Sequence, residues 1–551
     1  MWWSGGQPAP CLDGEDGPYP ERTDFDPGFM VASHRTERSA DPRAALRRAV
    51  GERDVDAVTS LVAAHWMHLL EDRSITLALA MGLCKPDPAD PLLTAVFTEL
   101  SAHLKSAFRT DVASHRARWN GERRSEAEAL RTVLGATIAS IAARAEGRAA
   151  ESRTHAGRAR AALPTAIARI PAGMLARLQH HWLRAELMST GYVTVVDGAE
   201  EVLRVAVATG QLDVAYSTAG YSALSHALAG RGPASDRAAT EAAALADLIE
   251  PWQRSAMGVP LRLATALRLL DRGHGDDAAA LLTDDRRAEQ DSELWALALM
   301  VRAQLPAAKN DPPRLLALLE AEAASWPSDL VARPINCVPL DAARAQLHGL
   351  MGHGALAVEL LERSAEHDAH GIVRVRLAAI RAAEDATAAA AFVEAVLRES
   401  GDRPRAAAEM HLLKAARALS EENEAVASGE FRRAVALALE NGIPRSLVVA
   451  GPTVLAKLSE LTETSEALEA VARIDQELVA LDRSKDHTLL TPRERAVLLG
   501  LMSGRTRAEV ARDSFVSVET VRSQLRSAYR KLGVRSLEAA IFAATEAGIR
   551  P

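Results

Sequence analysis

Helix starts and helix stops alternate from Leu490 to Pro551, and this punctuation leaves the segment few folds to adopt. Thr491-Pro492-Arg493-Glu494 is a capping box with proline at the first helical position. The threonine hydroxyl accepts from the third backbone N–H, and Glu494 reaches back to the cap. Val497, Leu498 and Leu501 then fall on one side, and Gly504 ends the helix. Thr506-x-x-Glu509 opens a second, short helix to about Asp513. Ser517 caps a third over Val518–Lys531, which Gly533 ends, and Ser536 caps a fourth that runs to Gly548.

The middle pair has the spacing of a helix-turn-helix. Ala511 falls where the two helices cross, and Ser514, Phe515 and Val516 make the turn. Along the third helix Val521, Leu525, Ala528 and Leu532 repeat at inward spacing. Glu519, Arg522, Ser523, Arg526 and Arg530 repeat on the opposite side. In this motif the second helix enters the major groove, where arginine suits guanine and hydroxyls suit bases or phosphates. From His487 onward eleven Lys+Arg face six Asp+Glu, a net +5. The whole chain is −8, which leaves −13 on residues 1–486. A basic tip on an acidic body localises attraction for phosphate at one end.

The segment resembles the LuxR-type helix-turn-helix domain. The likeness rests on Leu490-Thr491-Pro492-Arg493-Glu494, Gly504, Glu509-Val510-Ala511, Val516-Ser517-x-Glu519-Thr520-Val521-Arg522 and Tyr529-Arg530-Lys531-Leu532-Gly533-Val534. It implies a four-helix DNA-binding domain that works as a dimer on duplex DNA. Thr520, Arg522, Ser523 and Arg526 then meet the DNA, and Lys531 lies near the phosphate backbone. Arg522 stands where lysine is usual, Gln524 where histidine is common, Ser514 at a leucine position and Leu537 at a frequent arginine. Arginine for lysine exchanges a point charge for a planar fork.

Apolar residues make up 48% of the chain but aromatic ones only 4%, with alanine and leucine dominant, so helix is expected almost throughout. At 551 residues the chain exceeds one ordinary domain. Cys11, Cys84 and Cys337 lie far apart in no ligand spacing, so neither a disulfide framework nor a zinc site is expected, and a reducing cytoplasm suits them. The start lacks the basic and apolar regions of a secretory signal, and no stretch has the length and apolarity of a membrane span.

Residues 1–40 are rich in Gly, Pro, Asp and Ser without periodicity and are expected to be disordered. Residues 41–482 alternate helix and short turn, with 483–489 as a linker to the 490–551 domain. Ala44 to Val50 leads to a turn at Gly51-Glu52-Arg53-Asp54, after which Val58, Leu61, Val62, His65 and Leu69 share a stripe. A similar turn stands at Gly210-Gln211-Leu212-Asp213. Gly273-His274-Gly275 and Gly352-His353-Gly354 lie 79 residues apart, each followed by a Leu-Leu pair at the same offset. A further pair spans Arg405–Leu419 and Asn423–Glu440. The expected fold is all-α: a tetratricopeptide-like (TPR-like) solenoid of antiparallel helix pairs, each packed on its neighbours, followed by the four-helix domain.

Arg48-Ala49-Val50-Gly51, Ala64-His65-Trp66, Leu69-Leu70-Glu71 and Ala434–Arg445 are similar to the helical-repeat region of the large ATP-binding LuxR regulators. Those carry an N-terminal P-loop ATPase. Here no lysine follows a glycine, so GxxxxGK[ST] is absent and no nucleotide cofactor is expected. Tyr192–Val196 reads strand-like but stands alone, so no receiver domain is expected either.

Other candidates weigh less. His367-Asp368-x-His370 has loose metal spacing at a helix end, and His180-His181 beside Trp182 reads as helix packing. The Gly-His-Gly turns lack a third glycine and a preceding strand, so they read as helix breaks. Asp276-Asp277 and Asp284-Asp285 are adjacent carboxylates, not a pair across a cleft. Tryptophans 66, 182, 252, 295 and 326 read as repeat core. No catalytic or metal site is expected. The chain reads as a cytoplasmic transcription regulator binding duplex DNA as a homodimer, its body sensing a small molecule or protein. The alternative is an interaction scaffold whose terminal domain does not bind DNA.

Overall fold

The computed structural model describes residues 41–71, 76–85, 90–108, 124–190, 197–283, 286–368, 371–384, 389–401, 403–462, 471, 492–513, 516–531, 536–537 and 539–541. Several sequence expectations fall outside them. These are the segment before 41, the 483–489 linker, Tyr192–Val196, Asp284-Asp285, His370, Thr491, Ser514-Phe515, and Leu532 and Gly533. Among the described residues every regular element is a helix, and none is long and apolar enough to cross a membrane.

One turn explains why helix follows helix so quickly. After helix Val259–Asp271, Gly273 takes φ +79°, its N–H bonds to the Leu270 carbonyl, and the His274 N–H bonds to Leu269. The second Gly-His-Gly turn repeats this, with Gly352 bonded to Gly349 and His353 to His348. Such a left-handed stop satisfies the last carbonyls and turns the chain at once into the next helix. The same pair of bonds recurs at Arg53, Gly147, Gly210, Gly230, Glu422, Gly442 and Gly504. At the first turn the left-handed residue is Arg53. Gly51 belongs to helix Pro42–Glu52, which therefore runs two residues past the expected Val50. Asp54 and Asn423 accept from backbone N–H groups three residues on and so start the next helices.

The helices bury their faces in successive cores. The first gathers Trp66, Leu100, Leu134 and Trp182. The central core takes Leu183, Leu224, Leu263, Trp295 and Leu347, with Trp295 stacked on Trp326. Smaller cores surround Met410 and Phe431. Helix Ala172–Thr190 divides the first two, turning Leu178 and Trp182 one way and Leu183 and Leu187 the other. Small residues permit close crossings: a Cβ on Gly220 would sit 3.2 Å from the Leu261 backbone nitrogen.

A buried ion network sits at that dividing wall. Arg144, 2% exposed, bonds Glu293 at 2.6 Å, Glu71 at 3.0 Å and the His181 carbonyl at 3.2 Å. Arg184 bonds the same two carboxylates at 2.6 and 2.9 Å, and the Tyr221 hydroxyl donates to Glu293 at 2.7 Å. Burial pushes Glu71 and Glu293 up, but the two guanidiniums pull both carboxyls down to about 2. Burial, reinforced by Arg184, holds neighbouring His180 at about 3, and burial holds His181 well below its ordinary value.

The body also departs from a strict nearest-neighbour array. Arg405 bonds both oxygens of Asp271, and Arg268 donates to the Gly442 carbonyl at 2.8 Å. Gly232 donates to the Asn441 carbonyl at 3.1 Å, and a Cβ on Gly232 would fall 2.2 Å from that oxygen. Segments far apart in sequence thus grip each other directly.

Two outcomes follow. Arg144→Ala leaves the half-buried Glu71 and Glu293 each short of a partner and should cost about 3–5 kcal/mol, read from denaturant unfolding. Glu71, Glu293, His180 and His181 all bind protons more readily when unfolded. Their stabilisation is therefore complete above pH 6.5 and lost as pH falls from there. Burial raises Glu409 to about 7 and also raises Glu99, Glu289 and Asp368, which work oppositely, while burial lowers His65, His68 and His103, which act with the network. The thermal midpoint should fall between pH 6.5 and 4.5, and a flat profile would contradict the network's role.

Candidate nucleic-acid interface

Three C-terminal helices are described in full backbone: Pro492–Met502, Arg507–Asp513 and Val518–Lys531. Gly504, at φ +79°, stops the first. The Thr506 box closes as expected: the Thr506 N–H donates to Glu509 at 2.7 Å, and the Glu509 N–H donates back to the threonine hydroxyl at 3.3 Å. The Thr506 N–H first, and then the Thr506 hydroxyl, which also lies 2.9 Å from the carboxylate as a donor, hold the Glu509 carboxyl below its usual range. Val516 N–H bonds to the Ala511 carbonyl, fixing the turn between the second and third helices. Ser517 accepts from the Thr520 N–H at 3.0 Å and starts the third helix at Val518. Ser536 accepts from Ala539 at 3.1 Å and starts the fourth, whose course past Ile541 lies outside the described residues.

These helices own a core of their own. Val497, Leu498 and Leu501 meet Val510, Ala511, Val521, Leu525, Ala528 and Ala540. Burying one side of the third helix fixes its rotation, so the polar side must face outward. Ala511 is buried, as its small size predicts. A second close approach escaped the sequence reading: a Cβ on Gly500 would stand 2.7 Å from Val510 Cγ2. The only signal was a glycine inside a helix that continues past it, which argues for a packing reason.

On the outward side Arg522, Ser523 and Arg526 are exposed, with Thr520 half-buried beside them. Arg522 and Arg526, one turn apart, share a stripe. Arg522 pairs with Glu519 at 3.1 Å, and both are well exposed, so little energy holds the guanidinium from another acceptor. The Thr520 hydroxyl already pairs with Ser517 at 2.8 Å and ties this candidate to the helix cap. Lys531 closes the helix.

The remaining sequence candidates are structural. Asp368 accepts from the Ile372 and Arg374 N–H groups at 3.1 and 2.8 Å and caps helix Ile372–Glu384. His180 pairs with the Thr218 hydroxyl, His181 with Arg144, and Trp182 donates to Thr137. Trp66, Trp182 and Trp295 are buried, Trp252 and Trp326 half-buried. Asp276 and Asp277 lie in the first turn of helix Gly275–Thr283, where carboxylates suit the dipole. Cys84 and Cys337 are free thiols.

Gly500→Ala should push the first two C-terminal helices apart at a cost of about 1–3 kcal/mol. The β-branched Val510 has little rotamer freedom to yield. Hydrogen exchange of the Val521–Ala528 amides should quicken while the body's amides keep their rates. Unchanged exchange would show that the close approach carries no load.

No curated protein matches this chain. Residues 488–544 match the GerE family, described as bacterial regulatory proteins, luxR family. The match spans the capped helices, their private core and the basic outward face. The C-terminal segment of this chain therefore belongs to the luxR family of bacterial regulatory proteins and is a DNA-binding, transcription-regulating domain.

Proposed function

We propose that the chain recognises a specific duplex DNA sequence by laying helix Val518–Lys531 in the major groove, and that its helical body governs that act in response to a ligand or protein. The observation that carries this reading is the division of one helix into two sides. Val521, Leu525 and Ala528 are sealed in the core, while Arg522 and Arg526 stand in solvent held by no buried partner. A desolvated or multiply bonded arginine would not be free to exchange its partner for a base edge.

In this reading Arg522, Ser523 and Arg526 contact base edges, and Thr520 orients the N-terminal turn while reaching the nearest phosphate or base. Lys531 meets the backbone by its position at the end of the helix. The body, residues 41–482, is a TPR-like array joined through 483–489 to the 490–551 domain, in a cytoplasmic protein. Two copies occupy neighbouring half-sites of an inverted repeat, since a single short helix reads too few bases for a unique address.

The test is equilibrium DNA binding by the full chain across a salt series, on sites recovered by genome-wide mapping. Log affinity should fall linearly with log salt. Arg522→Ala should lose about 1–3 kcal/mol of discrimination at one base pair in each half-site. Lys531→Ala should weaken all sequences alike and reduce the salt slope by about one. Protection of two half-sites one helical turn apart would accord with the dimer. Retention that ignores salt, or selectivity that survives Arg522→Ala, would turn the assignment towards a scaffold.

A further inference from the structure

The place where the body closes on itself holds more arginine than its carboxylates can serve. Arg405 gives two N–H groups to Asp271, at 2.8 and 2.7 Å, and a third bond to the Ala227 carbonyl at 3.2 Å. Arg268 also bonds Asp271, at 3.2 Å, and spends its other donors on Asp236 and the Gly442 carbonyl. Asp271, 1% exposed, is therefore fully engaged by two guanidiniums.

Two further arginines face the same region. Arg445, on the short helix Pro444–Ala450, is 7% exposed and makes no hydrogen bond or ion pair among the described residues. Arg376, half-buried on helix Ile372–Glu384, bonds the Gln346 side-chain oxygen and nothing else among the described residues. Glu409, half-buried on helix Pro404–Ser420, lies within electrostatic range of Arg405, Arg376 and Arg445, yet accepts no hydrogen bond among the described residues. A guanidinium carries five N–H donors, and those of Arg445 meet no acceptor among the described residues.

The titration of these groups agrees with that accounting. Burial pulls the Arg445 guanidinium down to about 10 and draws Arg376 down as well. Burial also lifts Glu409 to about 7, although three arginines nearby pull it the other way.

We infer that Arg445 and Arg376 bind the oxyanion of a small ligand, a phosphate or carboxylate group, at the point where helices Ile372–Glu384 and Pro404–Ser420 meet the short helix Pro444–Ala450. This inference rests on the reading of the body as a sensor and names the chemistry it senses. Planar guanidiniums suit such oxygens bidentately. Arg405, locked to Asp271, positions the neighbouring backbone and adds field. Glu409 sets the terms of entry. Protonated, it donates a hydrogen bond to the ligand; ionised, it repels it. The site also sits beside the bonds from Arg405 and Arg268 that join segments far apart in sequence, so an occupant braces that junction.

The test uses the full chain, with inorganic phosphate and succinate as separate probes against sodium chloride at matched ionic strength. Thermal midpoint and calorimetry are read together. A ligand that binds only the folded state raises the midpoint in a saturable way. We expect saturation for one or both probes, and the tighter one names the group. Arg445→Gln and Arg376→Gln should each weaken it at least about tenfold. Glu409→Gln keeps a donor and removes the charge, so at pH 8 it should bind several-fold tighter than the wild type. This variant decides the matter should either arginine variant fail to fold, because a mere loss of stability does not tighten binding.

No saturable rise with either probe, wild-type affinity in both arginine variants, or no tightening in Glu409→Gln would each overturn the site. DNA affinity measured with and without the probe separates the two readings. A bound oxyanion that leaves DNA affinity unchanged keeps the site and removes its regulatory role. A different effector acting on a chain that ignores oxyanions keeps the sensor and removes the site.

Discussion

A buried arginine and a half-buried one, shared between two half-buried glutamates, hold the first helices of this protein to those that follow. Arg144 and Arg184 each reach both Glu71 and Glu293, so every charge has two partners. Buried ion pairs seldom add much net stability over well-packed apolar groups, but breaking one is severe. The network therefore acts chiefly as a specification. Helix Ala172–Thr190 has apolar residues on both sides and would otherwise accept more than one rotation. With Arg184 required to meet Glu71 and Glu293 together, Trp182 must face the first core and Leu183 the second.

The C-terminal domain obeys the same logic with weaker means. Its core holds a handful of small and medium side chains, and two of its crossings depend on having almost no side chain, at Gly500 and Ala511. The rotation of the third helix is set by Val521, Leu525 and Ala528, and the outward side follows from it. Arg522 and Arg526 are thus positioned by residues that never meet a ligand. The exposed pair with Glu519 is shallow enough to leave the guanidinium available.

Local features were the legible ones. The boxes and caps at Thr506, Ser517 and Ser536 fall where the sequence placed them, because capping is decided within four residues. The Gly-His-Gly turns were legible for the same reason. The Arg53 turn was harder, since a glycine two residues earlier drew the boundary towards itself. The long-range chemistry was opaque. Arg144 and Glu293 are 149 residues apart, and nothing in an alanine-rich helix marks which of many arginines will be sealed inside. Arg445 lay in a run valued only for its likeness to other repeats. The short helix that carries it packs against Val259–Asp271, Ile372–Glu384 and Pro404–Ser420, all distant in sequence or separated by further helices. Pairings of this kind are settled by the arrangement of whole helices, and no window of sequence contains them.

The grip between Gly232 and Asn441, and between Asp271 and Arg405, bears on how the protein comes to exist. In a linear array each unit can be secured as soon as its neighbour leaves the ribosome. Here the Arg405 guanidinium that completes the bonding of Asp271 and the Ala227 carbonyl is made only after well over a hundred further residues. The entropy of joining such distant points grows only slowly with the length between them, so the wait costs more in time than in energy. Until Arg405 and the 441–442 turn arrive, Asp271 is held by Arg268 alone and the junction is only half made.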